Sequence, residues 1–220
     1  MGLEPAGEEL FRRDLAGNGF HRLWELAWKE RLSSGGSLEE LADRFFDAAY
    51  GDGYPGLLSD QRLFRHRADQ REKNRRLGAL QDAMERSGLG EARSEQRREF
   101  PLPELEIGGT VFRGRCDRMD ILRDGSALLF DYKSGRSGKY TKSLQLAAYS
   151  IALREGPERR SASAAVFLGL GDGSAAGAKH DGAPLWLDAG KISLAELESQ
   201  AADAMNRAAD SIASGDFSPE

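Results

Sequence analysis

A mixed α/β fold, with a central β-sheet flanked by helices and an N-terminal helical extension, is what the sequence predicts. Three observations predict it. Apolar residues recur at helical spacing through roughly the first 90 residues. From about Glu95 the pattern changes to short apolar runs punctuated by Gly turns. After that, helix and strand patterns alternate to the C-terminal end. The length of 220 residues suits one full-sized domain, read as a helical part over 1–90 and an α/β core over 91–220.

The elements follow in order. Phe20, Leu23, Trp24, Ala27 and Trp28 predict a helix over 15–32, ended by Ser33-Ser34-Gly35-Gly36. Ser37-Leu38-Glu39-Glu40 reads as a capping box opening a second helix, with Leu41, Phe45, Ala48 and Ala49 on its apolar side. Gly51 to Gly56 reads as a turn, and a long polar helix is expected over 57–87, closed by Gly88 and Gly90. An extended stretch begins at Arg98. Ile107-Gly108-Gly109-Thr110 and Arg123-Asp124-Gly125-Ser126 read as hairpin turns, framing a strand from Val111 to Leu122 and a buried one from Ala127 to Lys133. A helix over Lys142–Arg154 packs through Leu144, Ala147, Ala148 and Ile151. A buried strand over Ala164–Leu170, a Gly- and Ala-rich loop over 171–182 and a short strand at Leu185-Trp186-Leu187 follow. A second capping box, Ser193 to Glu196, opens a helix to about Ala213, with Gly215 past its end.

Composition excludes several classes. Hydrophobic residues are 40% and charged residues 30% of the chain, enough for a core under a solvated surface and too apolar for a disordered chain. The single cysteine, Cys116, rules out an internal disulfide or a cysteine metal cluster and fits a reducing, cytoplasmic compartment. No run of 18 apolar residues occurs, and the first residues carry neither a signal-peptide nor a myristoylation pattern, so no membrane partner is expected. The net charge of −5 is unevenly spread: residues 62–76 carry a local +5 and residues 112–145 a local +4. A polyanion would be held there, although a basic run on a helix is also a common solvated face.

The chemistry-bearing stretch runs from Arg113 to Asp120 and on through Phe130-Asp131-Tyr132-Lys133-Ser134-Gly135. Asp131 and Lys133 project from one face of a strand, and an antiparallel neighbour joined at Asp124-Gly125 brings Asp117 close to Asp131. Two adjacent carboxylates repel unless a cation neutralises them, and hard oxygen donors suit Mg2+. Such a cation polarises a phosphate and acidifies water, while a flanking lysine stabilises developing charge. The same spacing would also serve a plain surface ion pair.

Three ordered motifs, Gly114-Arg115-Cys116-Asp117-Arg118-Met119-Asp120, Asp131-Tyr132-Lys133-Ser134-Gly135 and Gln145-Leu146-Ala147-Ala148-Tyr149, resemble the PD-(D/E)XK nuclease superfamily, in particular its RecB/AddB-like exonuclease branch. The resemblance implies a restriction-endonuclease-like core. It implies Asp117 and Asp131 as metal ligands with the Tyr132 carbonyl as a third, Lys133 as the catalytic lysine, and Gln145 and Tyr149 as residues that hold the nucleic-acid strand. Arg136 and Lys139, on the loop after the second motif, are candidate phosphate contacts. The family's N-terminal histidine corresponds to His21, within Gly17-Asn18-Gly19-Phe20-His21, as a further ligand. A family glutamate before the first motif corresponds to Glu99, with Glu95 and Glu104 as competitors. Cys116 takes the slot of the superfamily's proline, and Asp120, on the other strand face, is read as a structural partner of Arg118.

The implied activity is a Mg2+- or Mn2+-dependent deoxyribonuclease, an exonuclease in DNA repair or recombination. The expected partner is DNA, with a helicase subunit or domain as a further one; the chain is expected either to belong to a cluster-free branch or to be a cut domain of a larger protein, and both can hold. The absence of further cysteines implies no iron–sulfur cluster, and no Gly-x-x-x-x-Gly-Lys-Ser/Thr loop occurs, so any motor lies elsewhere. The alternative is a catalytically inactive nuclease-like domain that binds DNA or scaffolds a helicase.

Overall fold

The structure, a computed structural model, describes residues 11–180, 183 and 193–215. They group into two compact units. The first takes the described residues of Met1–Arg86 with Tyr132–Ser137 and Leu168–Ser174. The second takes those of Ser87–Asp131, Gly138–Phe167 and Ala175–Glu220.

The first unit is built on α1 (Arg13–Ser34), α2 (Leu38–Gly53), α3 (Pro55–Ser59) and α4 (Phe64–Met84). α1 buries Phe20, Leu23, Trp24, Ala27 and Trp28, the stripe its sequence predicts. At the start of α2, Ser37 Oγ accepts from the Glu39 and Glu40 amides, but Glu40 does not close the expected box. Asp82 of α4 takes that role: it accepts from Ser37 Oγ at 2.8 Å, from the Leu38 amide at 3.0 Å and from the Glu39 amide at 3.2 Å. A carboxylate from another helix thus satisfies orphan donors at a helix start, where the macrodipole also favours it. The buried face of α2 is Leu38, Leu41, Ala42, Phe46, Ala49 and Tyr50, so Phe45 and Ala48 point away from it. Starting the face at Leu38 rotates the apolar stripe onto Phe46 and Tyr50.

The expected turn at 51–56 is shorter than predicted. α2 runs through Gly53, only Tyr54 breaks it, and Pro55 starts α3 at the first helical position, where its missing N–H costs nothing. The single helix expected over 57–87 is divided. Asp60 is extended and accepts from the Arg62 amide to start a 3-10 turn over Gln61–Leu63, after which α4 begins. A π-helical turn, Glu85–Leu89, follows α4, with Gly88 at φ 113°. The basic run is largely paired within the unit: Arg71 with Asp43 and Asp47, Lys73 with Asp69, Arg75 with Glu39 and Glu72, and Arg76 with Glu72.

The second unit holds most of a five-stranded sheet of order β1 (Arg93–Pro101), β4 (Arg115–Leu122), β5 (Ala127–Lys133), β6 (Ala162–Gly169) and β7 (Ser174–Lys179). A separate hairpin pairs β2 (Leu105–Ile107) with β3 (Thr110–Phe112). Its Gly108 and Gly109 have φ of 55° and 79°, the two positive values that a type I′ turn requires. β1 pairs antiparallel with β4, and β4 antiparallel with β5. β5 and β6 run the same way: the Ala127 amide donates to the Ser161 carbonyl at one end and the Leu170 amide to the Lys133 carbonyl at the other. Helix α5 (Gln145–Glu155) makes the crossover between them, as a parallel pair needs. The sheet is therefore mixed, as the sequence predicts.

Three differences have physical reasons. The strand expected over Val111–Leu122 is two, broken around Gly114, where the backbone passes close under Tyr149. α5 begins at Gln145 rather than Lys142, after the 3-10 turn Ser137–Tyr140. The expected loop over 171–182 contains β7, whose Ser-Ala-Ala-Gly-Ala-Lys run lacks the β-branched and aromatic residues that mark a strand. Its pairing with β6, including the His180 amide on the Ser163 carbonyl, overrides that composition. Helix α6 (Leu194–Ser214) opens on the predicted capping box of Ser193 and Glu196 and ends at a left-handed Gly215. The Leu185-Trp186-Leu187 strand lies outside the described residues. The core of this unit packs Met119, Ile121, Ala127 and Leu129 of the sheet with Leu146 and Ile151 of α5 and Leu197 and Ala201 of α6.

Candidate active site

The register of β1, β4 and β5 sets three carboxylates abreast. β1 and β4 pair Arg98 with Arg118 and Phe100 with Cys116, which puts Glu99 opposite Asp117. β4 and β5 pair Arg118 with Phe130, and one residue further Asp117 and Asp131 come opposite each other. Neighbouring strands hold such cross-strand side chains about 5 Å apart at Cβ. Carboxylate oxygens of Glu99 and Asp117 lie within 4.8 Å of each other. Alternation gives Asp117 and Asp131 the strand faces of Met119 and Leu129, the face packed by α5. Lys133 follows Asp131 by two residues on β5 and so projects from the same strand face.

Glu99 is unusual in its backbone. Its φ is 45°, one of two positive values at non-glycine residues among those described. That left-handed conformation costs about 1–2 kcal/mol for a residue with a Cβ. Arg115 braces it, with Nε donating to the Glu99 carbonyl at 3.1 Å and lying 3.5 Å from its carboxylate. Strain of this kind collects at functional sites.

Asp131 is 4% exposed and its Oδ1 accepts from Gln145 Nε2 at 3.0 Å. The same amide nitrogen donates its other hydrogen to the Tyr149 hydroxyl, also at 3.0 Å. Gln145 and Tyr149 sit one turn apart on α5, so one helix face delivers both. The Tyr149 ring lies against Gly114: a Cβ there would fall 2.6 Å from the ring. Gly114 thus admits Tyr149, Tyr149 engages Gln145, and Gln145 holds Asp131. The importance of Gly114 was visible in its motif position, but its partner was not.

The rest of the motif is structural. Asp120 is fully buried; Arg118 Nε donates to its Oδ1 at 2.8 Å, Arg118 Nη2 holds Oδ2, and Arg93 lies 3.2 Å from Oδ2. Burial pushes its carboxyl up, yet the two guanidiniums together hold it below the ordinary carboxylate range. The Arg118 guanidinium also lies 4.4 Å from the Phe130 ring centroid. Cys116 donates through Sγ to the Arg118 carbonyl at 3.1 Å, and burial pushes its thiol up to about 12. Buried and protonated, it fills space between the strands.

Within the first unit, the Tyr132 side chain is packed parallel to Trp24 at 5.9 Å and edge-on to Phe20. Its hydroxyl donates to Gln81 Oε1 at 2.8 Å and accepts from Trp28 Nε1 at 2.9 Å. With its ring committed there, only the backbone carbonyl of Tyr132 could serve as a ligand. His21 is half-buried on α1, its ring edge-on to Phe20 at 5.7 Å. Arg136 and Lys139 are exposed in the segment after β5. That segment is tied back by residues the sequence reading missed: the Gly171 amide donates to the Gly135 carbonyl at 3.0 Å, and the Ser137 amide to Asp172 Oδ1 at 3.2 Å. Asp172 lies in an unremarkable Gly-Asp-Gly run, so no local signal marks it.

Three carboxylates side by side repel one another, and a hard divalent cation is the group that removes the repulsion. Oxygen donors from Glu99 and Asp117, which approach within 4.8 Å, fit such an ion, and the strand register puts Asp131 next in the row. Comparison with known proteins agrees with this chemistry. No curated protein matches the chain, but the family model described as the PD-(D/E)XK nuclease superfamily matches residues 1–220. The chain therefore belongs to the PD-(D/E)XK nuclease superfamily.

Proposed function

We propose that the chain is a Mg2+- or Mn2+-dependent deoxyribonuclease, acting as an exonuclease on DNA ends in repair or recombination beside a helicase subunit or domain. The observation that carries the nuclease chemistry is the row of Glu99, Asp117 and Asp131 across three adjacent strands, with Lys133 two residues past Asp131. The exonuclease role, the RecB/AddB-like branch and the helicase partner rest on the resemblance of the three motifs.

In this reading Glu99, Asp117 and Asp131 would hold the cation, and the resemblance of the motifs would add His21 and the Tyr132 carbonyl as further ligands. A bound divalent cation supplies charge neutralisation at the scissile phosphate and a more acidic water. The chain's own residues do the rest. Gln145 fixes the orientation of Asp131, so the carboxylate does not reorganise during the reaction. Lys133 places an ammonium beside the phosphate, where it offsets negative charge as the phosphorus becomes five-coordinate. Water attacks in line with the leaving 3′-oxygen, and family analogy gives a 5′-phosphate product. Arg136 and Lys139, exposed after β5, contact the strand's phosphates.

The test is degradation of end-labelled linear DNA, with circular DNA as the control for ends, in Mg2+ or Mn2+. Asp131→Ala and Lys133→Ala should each lower the rate at least a thousandfold while the protein still melts cooperatively. Wild-type levels of cleavage in both variants would remove the enzymatic assignment. Cation-independent DNA binding with no cleavage by the wild type would establish the inactive nuclease-like domain instead.

A further inference from the structure

We infer that the start of α4 carries an accessory site for single-stranded nucleic acid, built on Phe64, Arg65 and Arg67. It lies wholly within the first unit. Phe64 is 60% exposed, a large apolar ring left in water at the first residue of a helix. The Arg67 guanidinium stands 5.5 Å from its centroid, within the range of a cation–π contact. Beside them opens a cavity of about 400 Å3 lined by Leu58, Ser59, Asp60, Gln61, Phe64 and Arg67.

Charge selects the occupant. Elsewhere in residues 62–76 the basic side chains have carboxylate partners: Arg62, Arg71, Lys73, Arg75 and Arg76 are each ion-paired. Among the described residues Arg67 bonds only a neutral acceptor, the Leu58 carbonyl at 2.8 Å, and Arg65 is exposed without a carboxylate. The uncompensated positive charge of the run is thus concentrated on Arg67, beside the exposed ring, and on Arg65, next to Phe64 in the sequence. An exposed ring with a cation beside it that no carboxylate neutralises is the arrangement that binds single strands without reading sequence, because every base has a π-face and every linkage a phosphate. A duplex keeps its bases stacked inside and offers the ring nothing. An acidic protein segment would match the charge but would not need the aromatic face.

This deepens the nuclease reading by naming a single strand as the form of nucleic acid held, and its test is separable from that reading because it needs no cleavage. The experiment is fluorescence anisotropy in EDTA with a 15-mer of dT, a duplex of equal length and an abasic 15-mer. Phe64→Ala should weaken the dT 15-mer at least fivefold, Phe64→Trp should restore it, and neither should alter the abasic oligomer. Arg65→Ala and Arg67→Ala should each reduce the slope of log affinity against log salt by about 0.7. Equal affinity of Phe64→Ala and wild type for the dT 15-mer, or an equal loss on the abasic strand, overturns the site. So does an acidic peptide that competes with the strand while Phe64→Ala leaves strand affinity intact. The two readings separate in the wild type: Phe64-dependent binding in a protein that never cleaves retains this site and removes the enzyme, whereas cleavage with binding that does not depend on Phe64 removes this site and retains the enzyme.

Discussion

Gln145 divides its amide between Asp131 and Tyr149, and this gives the residue a role distinct from holding a strand. A hydrogen bond to a charged acceptor contributes about 1.5–3 kcal/mol, a factor of roughly 10–100. Gln145→Leu keeps the side-chain volume and removes both donors. Steady-state kinetics should show kcat reduced by that factor with KM within about twofold of wild type. A large rise in KM at unchanged kcat would return Gln145 to strand binding. Asp120 makes the contrasting case, a motif aspartate that serves the fold. Its carboxyl is held below its ordinary range, so its contribution to stability is present above the unfolded value of about 3.9 and is lost as pH falls through the lower folded value. Asp120→Asn leaves Arg118 buried with its charge opposed less well, which costs about 3–5 kcal/mol. Urea midpoints of Asp120→Asn and wild type should therefore differ widely at pH 7, and the gap should narrow as pH falls below the unfolded value of about 3.9. A constant difference across that range would mean that the carboxylate's charge is not what stabilises the pair.

At the scale of elements, the sequence was most legible where a pattern is local. The α1 stripe, the Ile107–Thr110 turn and the Ser193 box all specify themselves within a few residues. It was least legible where a distant residue decides. Asp82 replaces Glu40 as the second cap of α2 from 42 positions further along the chain, and nothing near Ser37 announces it. β7 forms from a composition that reads as loop because β6 offers it an edge. In the candidate site the first two motifs named Asp117, Asp131 and Lys133 as candidates, and the third named Gln145 and Tyr149. Glu99 was already the sequence's candidate ahead of Glu95 and Glu104, and the β1 register and the approach of its carboxylate to Asp117 add a geometric reason for it. The cap provides the test at this scale. Asp82→Ala removes three hydrogen bonds at a helix start and should destabilise the protein by about 1–2 kcal/mol in urea unfolding. Ser37→Ala should cost less, about 1 kcal/mol, since Asp82 still reaches the Leu38 and Glu39 amides. A larger effect at Ser37 than at Asp82 would show that the local cap dominates.

The whole molecule spends stability on its carboxylate row. Glu99 sits in a strained backbone, Asp131 is buried, and Glu99 and Asp117 lie close enough to repel. In a chain under no functional constraint, replacing one of these acids would relieve the repulsion, so a cation that binds only the folded state should show itself as a linkage effect. At a concentration one hundred times its dissociation constant, such an ion adds about 2.7 kcal/mol. For a chain of this size that corresponds to a rise in Tm of roughly 5–10 °C. Calorimetry in EDTA and in excess Mn2+ should show this rise for wild type and little or none for Asp117→Asn or Asp131→Asn. In EDTA the order should invert, with Asp117→Asn melting at or above wild type, because the neutral amide ends the repulsion. Glu99→Gly should behave similarly, since glycine takes φ of 45° without strain. If the ion raised the Tm of wild type and Asp117→Asn equally, it would be binding elsewhere on an acidic surface, and the row of carboxylates would lose its claim to be the metal centre.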